Sequence, residues 1–358
     1  MRCRATSRCS VTFLLYGATG YTGQLIAEAC AARGPRPILA GRTEAAVKAL
    51  AERLGLPWVA VSLDDGPGLD RALGEVGAVL HCAGPFTRTS RPMVDACLRT
   101  GRHYLDLTGE IPVFESCAAR DDEAKVRGVM LMPGVGFDVV PSDCLAVHLA
   151  RRLPGATHLE LCIASLGAIS HGTALTALEE FRGVAVERVG GRLVSAPLGA
   201  QRTFDFGDGR TRTGVEAPLA DVASAWRSTG IPNIRASLAL NPRLGALIRL
   251  APLAASLMRI GPVARALRSC VKPGGPDAAA RARGKSSVLA EVRDARGAVA
   301  RARLDGPDAY ALTVDCALLC VARALAGQAP PGYQSPAMAF GPDMVLEAPG
   351  VTRRDLPA

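Results

Sequence analysis

The stretch Phe13 to Gly23, FLLYGATGYTG, decides how the chain is read. A short apolar run rich in β-formers, Val11 to Tyr16, stops at three glycines spaced three apart, Gly17, Gly20 and Gly23. Behind them, Tyr21 to Arg33 puts Leu25, Ile26, Ala29, Cys30 and Ala32 at helical spacing, so the glycines stand at a strand-to-helix turn. In such a turn Gly17 permits the tight bend, Gly20 lets the backbone approach a pyrophosphate, and Gly23 lets the helix pack close to the strand. The phosphates then rest on the N–H groups and positive dipole end of the helix. The spacing is G-x-x-G-x-x-G, not the strict G-x-G-x-x-G, so its surroundings must carry the reading.

A second strand, Pro37 to Ala40, runs into Gly41-Arg42-Thr43, and Arg42 stands nineteen residues beyond Gly23. An NAD binder places a carboxylate here for the ribose hydroxyls. A guanidinium instead grips a 2'-phosphate bidentately and stacks on adenine, so the expected cofactor is NADP. The alternative is a solvated surface arginine in an arginine-rich chain.

At 358 residues, 49% of them apolar, the chain is long enough for two domains with a sizeable core. The net charge of +9 does not imply nucleic acid: only four of the 42 basic residues are lysines, the arginines are scattered, and aromatics make up 4% of the chain. None of the eleven cysteines falls in C-x-x-C spacing, and most lie in apolar runs as small core residues. Cys316 and Cys320 lie one helical turn apart, but no further ligands complete a metal site. An odd cysteine count without a secretory signal points to a reducing cytoplasm. The start MRCRATSRCS imitates a leader, but its apolar run is too short and passes straight into the glycine turn. No apolar run reaches the ~18 residues of a spanning helix.

In chain order, the pattern predicts helices over 44–54, 68–75, 92–99 and 111–126 and one carrying Cys144 to Arg152, the last capped by Ser142 or Asp143. Strands are expected over 58–63, 78–82, from His103, and over 129–132. Asp64, ending the third strand, is placed to meet the adenine edge, and the turn Ala83-Gly84-Pro85-Phe86 after the fourth lies beside the nicotinamide half of the cofactor. Asp106, Glu110 and Asp138 are read as orienting their loops instead of titrating, and none of them as a general base. The alternation of strand and helix is a doubly wound parallel sheet, the Rossmann α/β arrangement, over residues 1–153; residues 308–358 are expected to pack back on it. Residues 154–307 read as a smaller α+β domain: a strand over 157–165, a helix over 173–189, an apolar helical region over 236–271, a loop over 273–283, and a hairpin from Val288–Asp294 and Val299–Leu304. The apolar region carries Arg243, Arg249, Arg259, Arg265 and Arg268, which allows peripheral membrane contact besides the commoner buried or lid-like pair.

GATGYTG, LAGR, CAGPF, HYLDLTGE, PGVGFDVVPSD, HGTALTALEE, STGIP, DAYALT and GYQSPA, in that order, resemble the saccharopine dehydrogenase-like oxidoreductases, in particular the trans-acting enoyl reductase group. The likeness runs from about Phe13 to Arg353. It implies a Rossmann NADP-binding domain joined to an α+β domain with the site in the cleft between them. It places Gly17, Thr19, Gly20, Tyr21, Thr22 and Gly23 on the pyrophosphate, Arg42 on the 2'-phosphate, and Gly84 to Phe86 near the nicotinamide. The ten-residue N-terminal extension and the short tail after GYQSPA depart from the pattern.

No tyrosine has a lysine four residues later, which argues against a Tyr/Lys acid pair. Reducing a C=C conjugated to a thioester needs hydride at the β-carbon, a donor for the enolate oxygen and a proton for the α-carbon. The candidate donors are His171 and Thr173 in the turn Ser170-His171-Gly172-Thr173, and Tyr310; each also has a structural reading, as a hydrogen-bonded turn or an anchored core tyrosine. The expected activity is NADPH-dependent reduction of an enoyl C=C or a C=N bond in an apolar acyl or polyketide-like substrate, free or carrier-bound. The competing readings are a saccharopine-type amino-acid dehydrogenase and a non-enzymatic NADP-binding regulator. A homo-oligomer is compatible with all three.

Overall fold

The computed structural model describes residues 12–166, 184–240 and 274–357. The first part alternates strand and helix: β1 (Phe13–Tyr16), α1 (Tyr21–Arg33), β2 (Ile38–Gly41), α2 (Glu44–Leu54), β3 (Trp58–Ala60), α3 (Gly66–Gly74), β4 (Ala78–His81), α4 (Phe86–Thr100), β5 (His103–Asp106), α5 (Ile111–Ala118), α6 (Asp121–Val126), β6 (Met130–Met132) and α7 (Val140–Arg152). These strands are all parallel, in the order β3-β2-β1-β4-β5-β6. Side chains alternate across β1: Phe13 and Leu15 join the core beneath α1 and α2, while Leu14 and Tyr16 join a second core with Leu73, Met93 and Phe114 from α3, α4 and α5. Both faces of the sheet are thereby covered, as a parallel sheet requires.

The second part is a mixed sheet: β7 (Ala156–Leu166), β8 (Val184–Val189), β9 (Arg192–Pro197), β10 (Gln201–Asp205), β11 (Thr211–Glu216), α8 (Asp221–Thr229), β12 (Asn233–Ala239), α9 (Ala278–Arg283), β13 (Lys285–Asp294) and β14 (Val299–Pro307). The chain continues through α10 (Ala309–Leu325), β15 (Gly332–Tyr333), α11 (Pro336–Phe340) and β16 (Thr352–Leu356). The path runs β10-β11-β12-β7-β13-β14-β16, with the β8–β9 hairpin attached to β12. Only β7 and β12 pair in parallel among the described strands of this sheet. β15 leaves this sheet and pairs with β6 as the seventh strand of the first. Leu145 and Leu149 of α7 share one core with Leu161, Ala290 and Ala302 of the second sheet, while Leu312, Cys316 and Cys320 of α10 extend it to Leu15 and Leu80 of the first.

Several elements depart from the sequence expectation, some through contacts distant in sequence and some through local ones. The helix expected from Pro92 begins at Phe86, because the Glu110 carboxylate accepts the N–H groups of Phe86 (2.7 Å) and Thr87 and so caps it from another loop. The single helix expected over 111–126 breaks into two at Arg120, whose guanidinium pairs with Asp95 of α4, and the acidic residues Asp121 to Glu123 then open α6 at its favourable end. Neither Ser142 nor Asp143 caps α7, which starts at Val140. The Ser142 hydroxyl donates to Val139 O (2.9 Å), and Asp143 accepts the Ala337 N–H (2.9 Å). The helix expected to reach Val189 is wrong over Val184–Val189, a strand folded onto β9 through Gly190-Gly191. The start of the apolar region, Ala236 to Ala239, belongs to β12, and the 273–283 loop contains α9. His171, Thr173 and residues 241–271 lie outside the described residues.

The glycine turn owes its shape to close backbone approach. Gly17 has φ +81°, and a Cβ there would sit 2.7 Å from Ala83 N; a Cβ on Gly23 would sit 2.3 Å from Gly17 O. A Cβ on Gly20 would meet only Gly17 O, at 3.3 Å. Gly23→Ala should therefore destabilise the fold by about 1–3 kcal/mol, whereas Gly20→Ala leaves it near wild type, as urea unfolding of the two variants checks.

Asp221 opens α8 at 1% exposure, and neither carboxylate oxygen has a well-formed hydrogen bond among the described residues. Burial pushes its pKa up from 3.8 to about 7; the nearby Ser142 hydroxyl and its own backbone N–H oppose this, while Asp138 and Asp143 push the same way as burial. Between those values the unfolded carboxyl releases its proton while the folded one keeps it, so this group's contribution to stability falls as pH rises from about 4 to about 7. Asp221→Asn imitates the protonated acid and removes the dependence. Relative to wild type the variant should gain stability steadily as pH rises from 4 to 7, by about 1.4 kcal/mol for each pH unit crossed. A difference constant with pH in denaturant melts would contradict the assignment.

Candidate cofactor and active site

The first turn of α1 carries N–H groups that its own helix cannot satisfy. Gly20, the N-cap, supplies no side chain, and no acidic residue lies in that turn. Asp65, Asp277, Asp308 and Ser335 accept N–H groups at the starts of α3, α9, α10 and α11, whereas α2, α5, α6, α7 and α8, like α1, have no N-cap side-chain hydrogen bond; α1 differs from α2, α6, α7 and α8 in having no acidic residue in its first turn. The N–H groups of this first turn are free of side-chain caps, and a Cβ on Gly20 would meet only the Gly17 carbonyl, at 3.3 Å, which leaves space beside the backbone there.

At the carboxyl ends of β1, β2 and β3, Arg42 is exposed and makes no ion pair among the described residues. Arg42 and Asp64 both act electrostatically on the Tyr16 hydroxyl, whose pKa is raised by burial and lowered by Arg42. That hydroxyl donates to Val61 O (3.1 Å), which ties the end of β1 to the chain leaving β3. Arg42 and Asp64 therefore both lie near the Tyr16 hydroxyl at this end of the sheet.

The ends of β4, β5 and β6 form the other half. Asp106, fully buried, accepts the Tyr104 hydroxyl (2.6 Å) and the N–H groups of Thr108 and Gly134 (both 2.9 Å), joining the loops after β5 and β6. Burial pushes its pKa up to about 6 against these donors. Glu110 joins the loop after β5 to Phe86 and Thr87, so the Ala83–Phe86 turn is held from across the sheet. Thr89 Oγ1 reaches Ala83 O (2.5 Å) and His81 Nε2 (3.0 Å). His81 is fully buried against Tyr16, Phe86 and Tyr104, and burial lowers its pKa to about 3, which leaves a neutral structural imidazole.

Residues far along the chain close the opposite wall. The Tyr21 hydroxyl donates to Pro276 O (2.5 Å) and accepts from Arg281 Nη1 (2.9 Å), while Gly275 packs on the Tyr21 ring so tightly that a Cβ would sit 2.7 Å away. Tyr310 stands edge-on to Tyr21 with centroids 5.1 Å apart. One turn on in α10, Thr313 Oγ1 accepts the Phe137 N–H (3.0 Å). Beside it Asp138 is exposed, and its Oδ2 lies 3.3 Å from where a Gly109 Cβ would be.

The structure thus brings Tyr21 and Tyr310 together and gathers Ala83 to Phe86 with Glu110, whereas Arg42 and Asp64 stand at the far end. Sequence reasoning missed the 275–281 segment, Thr313 and the separate character of Asp138. Only Asp308, two residues before Tyr310 and recognisable as an N-cap, signalled that α10 begins at the site.

The saccharopine dehydrogenase NADP binding domain family matches residues 13–132. A trans-acting enoyl reductase of Mycobacterium leprae is 36% identical over 157 residues, 42% of this chain and 38% of that protein. One of Mycobacterium ulcerans is 31% identical over 224 residues, 55% of this chain and 54% of that protein. The chain thus spans about half or less of the length of these relatives. The structure of apo saccharopine dehydrogenase (L-Glu forming) from Saccharomyces cerevisiae superposes with TM-score 0.66 over 97% of this chain and 100% of that one, at 12% identity. Residues 13–132 thus match the saccharopine dehydrogenase NADP binding domain in sequence, and nearly the whole chain is similar in fold to saccharopine dehydrogenase.

Proposed function

We propose that the chain is an NADPH-dependent reductase delivering hydride to a C=C (enoyl) or C=N bond of an apolar acyl or polyketide-like substrate, free or carrier-bound. The observation that carries this reading is the α1 N-terminus, uncapped by any side chain, with the unpaired Arg42 guanidinium at the end of the neighbouring strand. A dinucleotide laid across them would rest its pyrophosphate on the Thr19–Gly23 backbone, its 2'-phosphate on Arg42 and its nicotinamide over the loops held by Asp106 and Glu110. When bound, NADPH supplies the hydride. The enoyl preference draws on the names of the Mycobacterium relatives and on the composition of residues 236–271, which have no carboxylate and many Leu, Ala and Ile. An acyl chain gains about 0.8 kcal/mol per methylene buried against such side chains, and arginines attract the phosphate of a carrier or coenzyme A.

Arg42→Ala should weaken NADPH binding roughly 10- to 100-fold, the worth of a charge-assisted contact, and leave NADH binding almost unchanged. Fluorescence titration with both cofactors checks it, and an equal loss for both would remove Arg42 from the 2'-phosphate. Substrate class is tested by stopped-flow oxidation of NADPH with enoyl thioesters, cyclic imines, and 2-oxo acids plus lysine. Turnover is expected with the thioesters or imines. Turnover confined to the oxo-acid and amine pair would replace this reading by an amino-acid dehydrogenase.

A further inference from the structure

We propose that Asp138 is the acid that protonates the substrate's α-carbon, a role that rests on the reductase reading above. Its position is the first ground. It follows β6 on the turn that Asp106 ties to the loop after β5, and its carboxylate lies against Gly109, in the half of the site assigned to the nicotinamide. The second ground is its freedom. Asp106, Glu110 and Asp143 all accept backbone N–H groups, whereas Asp138 is exposed and accepts no hydrogen bond among the described residues. Of the other titratable groups, His81 is fully buried among aromatic rings, Cys82 and Cys144 are held as thiols by burial, the Tyr21 hydroxyl is engaged by Pro276 and Arg281, and Tyr310 stands edge-on to Tyr21 on the opposite wall.

Although solvent reaches it, Asp138 is crowded by protein, and that desolvation raises its pKa, which favours the protonated form. A neutral carboxylic acid can donate to an enolate, whereas an ionised one would repel it. The step balances simply. Hydride adds to the β-carbon, the π electrons move toward the carbonyl as an enolate, and the enolate's α-carbon takes the proton as the Asp138 O–H bond breaks. Asp138 is left as a carboxylate, which water in the cleft reprotonates.

The test uses the full chain, NADPH and an enoyl thioester that wild type turns over. Asp138→Asn should keep the wild-type melting temperature and NADPH affinity while NADPH oxidation falls about 100- to 10,000-fold. In D2O, wild type should place deuterium on one face of the α-carbon and the variant on both. A variant rate within threefold of wild type overturns the proposal. Should Asp138→Asn melt below the assay temperature, Asp138→Ser takes its place: loss of rate with deuterium on both faces upholds the proposal, and a rate within threefold of wild type or a single-face label overturns it. Wild type inert toward every thioester overturns the enoyl reading, and this role with it, so the two failures are distinguishable.

Discussion

The contact of backbone against backbone at the glycine turn is the constraint on which the rest of the structure depends. Gly17 bends with φ +81° so that β1 can turn back against the Cys82–Ala83 peptide, and Gly23 brings α1 down onto the Gly17 carbonyl. No side chain fits in either place. Because these two positions are filled by backbone, the start of α1 points over the sheet's edge with its N–H groups turned outward, and the turn after β4 lies directly beside it. The pyrophosphate and nicotinamide regions of the proposed site are therefore set by one packing event.

Carboxylates, buried at Glu110, Asp106 and Asp143 and half-buried at Asp121, then hold the pieces that no glycine turn could align. Glu110 holds the start of α4, Asp106 holds the turn after β6, Asp143 holds α11 and Asp121 holds β15, each by accepting backbone N–H groups from a segment distant in sequence. Charge-assisted bonds of this kind contribute about 1.5–3 kcal/mol each, and removing the acceptor leaves buried donors unsatisfied. Asp138 and Asp221 stand apart because no backbone donor from a distant described segment meets them.

The second sheet contributes more than a platform for substrate. Gly275 and Pro276 seat on Tyr21, while α10 brings Tyr310 to the same ring and Thr313 to the Phe137 backbone. One wall of the site is thus assembled from residues more than 170 positions away from those they touch. The shared core of α7 and α10 gives this wall a fixed footing on both sheets.

What the sequence determined by itself was local. The β1 run, the glycine turn, and the helices Tyr21–Arg33 and Glu44–Leu54 follow from periodicity and from residues that only a turn tolerates, and both helices begin and end where the spacing says. The alternation of strand and helix likewise specified a parallel sheet, because each segment carries its own pattern of burial. Only the tertiary structure decided where α4 starts, since its cap comes from Glu110, and that Val184–Val189 is a strand, since half-exposed strands such as β8 to β10 show their alternation weakly and take their identity from the strands beside them. The same holds for the acids. Asp106, Asp138 and Asp143 are alike in sequence, and their difference lies in whether a distant N–H reaches the carboxylate, which no local pattern encodes.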